Sequence, residues 1–169
     1  RELVQRSGVK FEIVSLRGPH RTAQGMGRQW YGLFPAEWDE VPIADEALKA
    51  RLKVLATPTI PLEKTVLLGF SQGGAMALSC GTQLPVAGVI GCSAYPHPGW
   101  VPPRECPPVF LTHGEKDDVV PISASYKLIQ LFKSNDLEAE LFAFDGGHSI
   151  PPELLSELSI CLGRWCFSV

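Results

Sequence analysis

The chain has 169 residues, 45% of them hydrophobic and 20% charged, the balance of one soluble globular domain spanning 1–169 rather than of a disordered or fibrous chain. A net charge of -3 offers a polyanion little to bind, which argues against nucleic-acid recognition. No apolar run approaches a membrane span and Arg1-Glu2-Leu3-Val4-Gln5-Arg6 has no signal-peptide core, so a cytoplasmic protein without an integral membrane segment is expected.

In chain order, Val9-Lys10-Phe11-Glu12-Ile13-Val14-Ser15-Leu16 alternates apolar with polar residues and stops at Arg17-Gly18-Pro19, predicting a strand that enters a loop. The loop from His20 to Pro42 holds Trp30, Tyr31, Phe34 and Trp38. Loops this long inside a compact domain serve a function or hide short turns, and these aromatics either line a substrate approach or cover the end of a sheet. Ala44-Asp45-Glu46 opens a helix with an apolar stripe at Leu48, Leu52 and Leu55, ended by Thr57-Pro58 and Pro61. A strand from Thr65 to Gly69 follows, then a turn at Ser71 and a helix to about Gln83.

Beyond Pro85, Val86-Ala87-Gly88-Val89-Ile90-Gly91-Cys92 is apolar throughout, as in a parallel sheet covered on both faces. Prolines at 96, 98, 102, 103, 107 and 108 make Ser93 to Pro108 an irregular, stiff loop. Then come the strand Val109-Phe110-Leu111-Thr112, a helix with Ile122, Tyr126, Ile129 and Phe132 inward, the strand Ala139 to Phe144, and a helix with Leu154, Leu158, Leu162 and Trp165 inward. Strands alternating with helices predict an α/β fold with a mainly parallel sheet. The five cysteines, Cys80, Cys92, Cys106, Cys161 and Cys166, are odd in number and lack a Cys-x-x-Cys pair, which argues against a disulfide framework and a zinc site. Most are expected to be buried, reduced thiols.

The informative stretch is Val66 to Leu78, where an apolar strand runs through Gly69-Phe70-Ser71-Gln72-Gly73 into a helix of small residues. A strand that turns at once into a helix holds its middle residue in a strained conformation, which neighbours without side chains on either flank would tolerate. Ser71 then projects at the strand's carboxyl end, with the N–H of Gln72 aimed at the same spot as an oxyanion donor. The plainer alternative is a tight βα turn with Ser71 as a surface hydroxyl.

A serine hydroxyl is a weak nucleophile at neutral pH and needs a base, held in turn by a third group. Two loops just past predicted strand ends supply them. One is His113-Gly114-Glu115-Lys116-Asp117-Asp118-Val119-Val120-Pro121, and the other is Asp145-Gly146-Gly147-His148-Ser149. His148 is the candidate base, against the alternative of a solvated loop histidine. Asp117 is the candidate acid, while Asp118 could instead satisfy turn N–H groups or cap the next helix. Glu115 and Asp145 are expected to be solvated, and His113 to brace the acid loop. His20 and His97 have no partner at ligand spacing, and no His-x-x-x-His or comparable pair exists, so neither a metal nor another cofactor is expected.

Gly69-Phe70-Ser71-Gln72-Gly73-Gly74, His113-Gly114 with Asp117 and Pro121, Gly147-His148, and Trp30-Tyr31-Gly32-Leu33 after Arg17-Gly18-Pro19 resemble the phospholipase/carboxylesterase family, which includes acyl-protein thioesterases and small serine esterases. The resemblance implies an α/β-hydrolase fold, a nucleophile at Ser71, an acid at Asp117 and a base at His148. It implies small esters or thioesters, or acylated proteins, as substrates. Trp30, Leu33 and Trp100 are candidates for substrate contacts. Gly32 stands where that family usually carries an acid. The family's His-Gly-rich oxyanion loop and the strand expected between Val9–Leu16 and the strand leading to Ser71 have no counterpart here. That departure leaves two expectations: a chain shortened relative to a longer gene product, or a catalytically weak or dead scaffold serving as a binding module.

Overall fold

Four short apolar runs line up as one parallel sheet in the computed structural model, which describes residues 12–23, 25–33 and 35–167. They are β3 (Val66–Phe70), β4 (Gly88–Cys92), β5 (Val109–Gly114) and β6 (Ala139–Phe144), side by side in that order. Ahead of them lie a two-strand antiparallel hairpin, β1 (His20–Arg21) with β2 (Arg28–Gln29), a 3-10 turn at Trp38–Glu40, and α1 (Val41–Leu55). The remaining helices are α2 (Gln72–Gly81), α3 (Ser123–Lys133) and α4 (Leu154–Phe167).

Successive strand residues point to opposite faces, and both faces are covered. Val89, Val109 and Leu111 pack with Leu48 and Leu52 of α1, Met76 and Leu78 of α2, and Leu128 and Phe132 of α3. Their chain neighbours Ile90 and Phe110 pack with Leu154, Leu158 and Leu162 of α4. Each such side chain contributes about 1.5–3 kcal/mol on leaving water, which makes these two layers the frame that fixes the strand ends. The α/β class and the parallel sheet therefore follow the sequence reading.

Four details depart from it. In the predicted Val9–Leu16 strand, residues 9–11 lie outside the described residues and 12–16 form no strand, with Ile13 60% and Val14 53% exposed. A strand needs a neighbour for its backbone groups, and among the described residues β3 pairs only with β4. The long loop is interrupted by β1, β2 and the 3-10 turn, and α1 starts at Val41 with Pro42 in its first turn, where a missing N–H costs nothing. Phe34 lies outside the described residues. Leu55 is exposed, and the buried stripe of α1 is Val41, Ala44, Leu48 and Leu52. Tyr126 is 50% exposed, because α3 presents Ser125, Leu128 and Phe132 to the core. The periodicity of that segment fits either stripe, and packing against β5 and β6 selects one.

Cys80, Cys92 and Cys161 are buried free thiols whose pKa values burial pushes up to about 12, 12 and 11. They are protonated and inert at neutral pH. Cys106 is partly buried, and the side chain of Cys166 lies outside the description.

Candidate active site

β3 passes straight into α2 through Ser71, whose backbone at φ 54° and ψ -121° lies in a region that side chains rarely adopt. Its N–H donates to the Cys92 carbonyl at 2.8 Å, and its carbonyl accepts the Ala75 N–H at 3.0 Å, tying the strained residue to both β4 and α2. A Cβ at Gly69 would run into the Gly73 carbonyl, and one at Gly74 would meet the Ala94 side chain at 2.9 Å. Gly73 itself has open space around it. The flanking requirement is thus met by Gly69 and Gly74, because the helix turns its second residue outward and its third onto the β4–β5 loop. No side chain caps the start of α2, where the Gln72 N–H lies.

Past the end of β5, Asp117 is buried, and its carboxylate is fully used. Oδ1 accepts the N–H groups of Val119 at 3.0 Å and Val120 at 2.8 Å, and Oδ2 accepts from His148 Nδ1 at 2.8 Å. Burial alone would raise its pKa. Hydrogen bonds from His148, Val120 and Val119 outweigh burial and lower it from 3.8 to about 2. Asp117 takes the turn N–H groups that the sequence left open to Asp118, and Asp118 stays exposed.

His113 lies beneath this loop, fully buried. Its Nε2 donates to the Val120 carbonyl at 2.7 Å, and its Nδ1 accepts from the Ser125 hydroxyl at 2.7 Å. It braces the acid loop from below, 3.4 Å from Asp117. Gly114 lets the two loops touch, since a Cβ there would run into the Gly146 and Gly147 carbonyls. Backbone bonds from Glu115 to Phe144 at 2.8 Å and from Lys116 to Gly146 at 2.9 Å lock that contact. Glu115 is exposed, and Asp145 forms an exposed ion pair with Lys116.

His148, between β6 and α4, points Nδ1–H at Asp117 and so keeps Nε2 as the basic nitrogen. Its ring lies 4.6 Å, centroid to centroid, from Phe70, the residue before Ser71. Three loops separated in sequence thereby converge at the carboxyl ends of β3, β5 and β6. His148 is thus oriented by a buried carboxylate and packs on the residue that precedes the strained Ser71.

Trp30 and Leu33 are half-buried against the α1–α3 core, with the Arg51 guanidinium 5.9 Å over the Trp30 ring. Trp100 packs edge-on against Phe132 at 5.9 Å. Two features escaped the sequence reading. The Gln72 side chain accepts the Trp30 N–H at 2.9 Å and donates to the Tyr31 carbonyl at 2.8 Å. Tyr31, fully buried, holds the Tyr95 hydroxyl at 2.8 Å and His97 Nε2 at 2.9 Å. His97, a loop histidine with no partner at ligand spacing, is a buried residue bonded to Tyr31, and burial pushes its pKa down to about 4 against a smaller opposing effect of Asp45. The Tyr-x-His spacing was the only signal available. Among the described residues, no group of three or more His, Cys, Asp or Glu could hold a metal ion, and no helix is long and apolar enough to cross a membrane.

The sequence profile of the phospholipase/carboxylesterase family matches residues 7–165. Acyl-protein thioesterase 1 of Gibberella zeae is 33% identical over 113 residues, 60% of this chain and 48% of that protein. The same enzyme of Emericella nidulans is 34% identical, over 60% of this chain and 47% of its own. The chain spans about half the length of these curated relatives. Among solved structures, esterase PE8 superposes with a TM-score of 0.79 at 28% identity, covering 88% of this chain and 76% of that one. The Bacillus cereus carboxylesterase shares the fold, with a TM-score of 0.78 at 14% identity over 96% of this chain and 80% of its own.

Proposed function

Since this chain belongs to the phospholipase/carboxylesterase family and has an α/β-hydrolase fold, we propose that it is a serine hydrolase cleaving carboxylic esters or thioesters, acylated proteins among them. The observation that carries this reading is the 2.8 Å bond between His148 Nδ1 and the buried Asp117 carboxylate, with the His148 ring against Phe70, the residue before the strained Ser71.

In this mechanism His148 Nε2 takes the Ser71 proton as Oγ attacks the carbonyl carbon. The charge on the carbonyl oxygen falls to the Gln72 N–H at the uncapped start of α2. Collapse expels the alcohol or thiol, protonated by the imidazolium, and leaves an acyl-Ser71 ester. Water, deprotonated by the same imidazole, then releases the acid. Asp117 remains ionised throughout, consistent with its lowered pKa, and holds the imidazole in the productive tautomer. No cofactor takes part.

Hydrolysis of p-nitrophenyl acetate by the wild type and by Ser71→Ala tests this. Turnover is expected to vanish in the variant, with a fluorophosphonate probe labelling Ser71 only in the wild type. Equal turnover by the two proteins would eliminate Ser71 as the nucleophile. A wild type that neither turns over nor labels would instead point to a binding module on a hydrolase scaffold.

A further inference from the structure

The mechanism uses the main-chain N–H of Gln72 and leaves its side chain idle, yet that side chain is buried and doubly bonded across the fold. As the first residue of α2, a glutamine could reach into solvent at little cost. Instead its carboxamide spans 42 positions back along the chain to take the Trp30 N–H at 2.9 Å, and gives its own N–H to the Tyr31 carbonyl at 2.8 Å. Donor and acceptor must both be present, at that reach, on one planar group. Among the carboxyl and carboxamide side chains of this length, glutamine alone meets the requirement at neutral pH.

What the carboxamide grips is itself tied down on its other side. Tyr31 is fastened at its other end to Tyr95 and His97, with its ring 5.3 Å from that of His97 and 5.8 Å from that of Trp38. The next N–H, of Gly32, donates to the Glu40 carboxylate at 3.0 Å. The Trp30–Gly32 backbone is therefore a strut bound to the β4–β5 loop and to the turn before α1. The partner it holds is less secure by itself. The start of α2 has no side-chain cap, and Ser71 sits at φ 54°, a conformation that persists only where its surroundings over-determine it.

We propose that the Gln72 carboxamide is a positioning group for catalysis: by tying the first residue of α2 to the Trp30–Tyr31 backbone, it holds Ser71 in its strained conformation and keeps the Gln72 N–H trained on the developing oxyanion. This rests on Ser71 being the nucleophile. The tie acts on the transition state rather than on ground-state binding, so its loss lowers kcat and spares KM.

Two variants test it on p-nitrophenyl acetate, with Ser71→Ala as reference. Gln72→Met keeps length and burial but removes both bonds. It is expected to lower kcat about tenfold, with KM within about twofold and the circular dichroism spectrum intact. Gln72→Glu keeps the acceptor but regains a donor only when its carboxyl is protonated. The ratio of its kcat to that of the wild type is therefore expected to rise as pH falls from about 8 to about 5, a trend that a packing role does not produce. Ser71-dependent turnover that Gln72→Met leaves within twofold, or a Gln72→Glu ratio flat with pH, overturns the proposal alone. Turnover that survives Ser71→Ala overturns the nucleophile and this proposal together. Failure of both variants to fold would make the tie purely structural, which also overturns it.

Discussion

His148 and Asp117 are joined by a 2.8 Å hydrogen bond across 31 residues, with the carboxylate fully buried and the imidazole mostly so. The carboxylate must stay acceptor-only for this bond to select the tautomer with a free Nε2. In Asp117→Asn the new amide would present an N–H to Nδ1 and turn the ring's proton to the Ser71 side. We expect kcat for a p-nitrophenyl ester to fall on the order of a thousandfold or more, with the secondary structure retained. Wild-type turnover in a folded Asp117→Asn protein would remove Asp117 from the mechanism.

The glycines of the Ser71 turn make opposite predictions. At Gly69 a side chain collides with the Gly73 carbonyl, whereas at Gly73 nothing lies within 4 Å. Gly69→Ala is expected to destabilise by about 2 kcal/mol or more, because rigid backbone must move. Gly73→Ala lies in a helix with open space and is expected to be neutral or to stabilise by about 0.4–1 kcal/mol. Urea unfolding of both variants checks the pair, and a larger loss at Gly73 than at Gly69 would refute the steric argument.

His97 gives stability a pH dependence of its own. Its folded pKa near 4 lies below the ordinary 6.5, so between these values the unfolded chain binds a proton that the folded chain refuses. The contribution of neutral His97 is complete above pH 6.5 and is lost as pH falls toward 4, by an amount on the order of 1–3 kcal/mol. Asp117 acts in a separate window, its contribution being lost only as pH drops from 3.8 toward 2. Thermal unfolding of the wild type and His97→Gln between pH 7 and 4.5 is expected to show a fall confined to the wild type, and parallel curves would exclude His97 as the source.

Tyr31→Phe removes the hydroxyl that serves both Tyr95 and His97, leaving two largely buried polar groups short of a partner. A loss of about 1–3 kcal/mol is expected by denaturant unfolding. An unchanged midpoint would mean that these groups find another partner.

Much of the frame is visible in short windows. Val66 to Leu78 announces strand, turn and helix through its own periodicity and its glycines, and Asp117 and His148 are legible as polar loops just past apolar runs. The faces of the helices are less legible, since Tyr126 and Leu128 compete for the interior and only the strands beneath α3 choose between them. The Val9–Leu16 segment has a strand's alternation, yet its described residues 12–16 form no strand, since alternation supplies no partner for the backbone.

The sequence by itself determined the order of strands and helices and which loops bear the serine, the carboxylate and the imidazole, because periodicity and turn chemistry act over a few residues. Only the tertiary structure decided that Asp117 rather than Asp118 meets His148, that Gly74 rather than Gly73 must lack a side chain, and that Gln72 grips Trp30 and Tyr31. Those pairings join residues brought close by the packing of helices on a shared sheet, and no local pattern along the chain encodes that proximity.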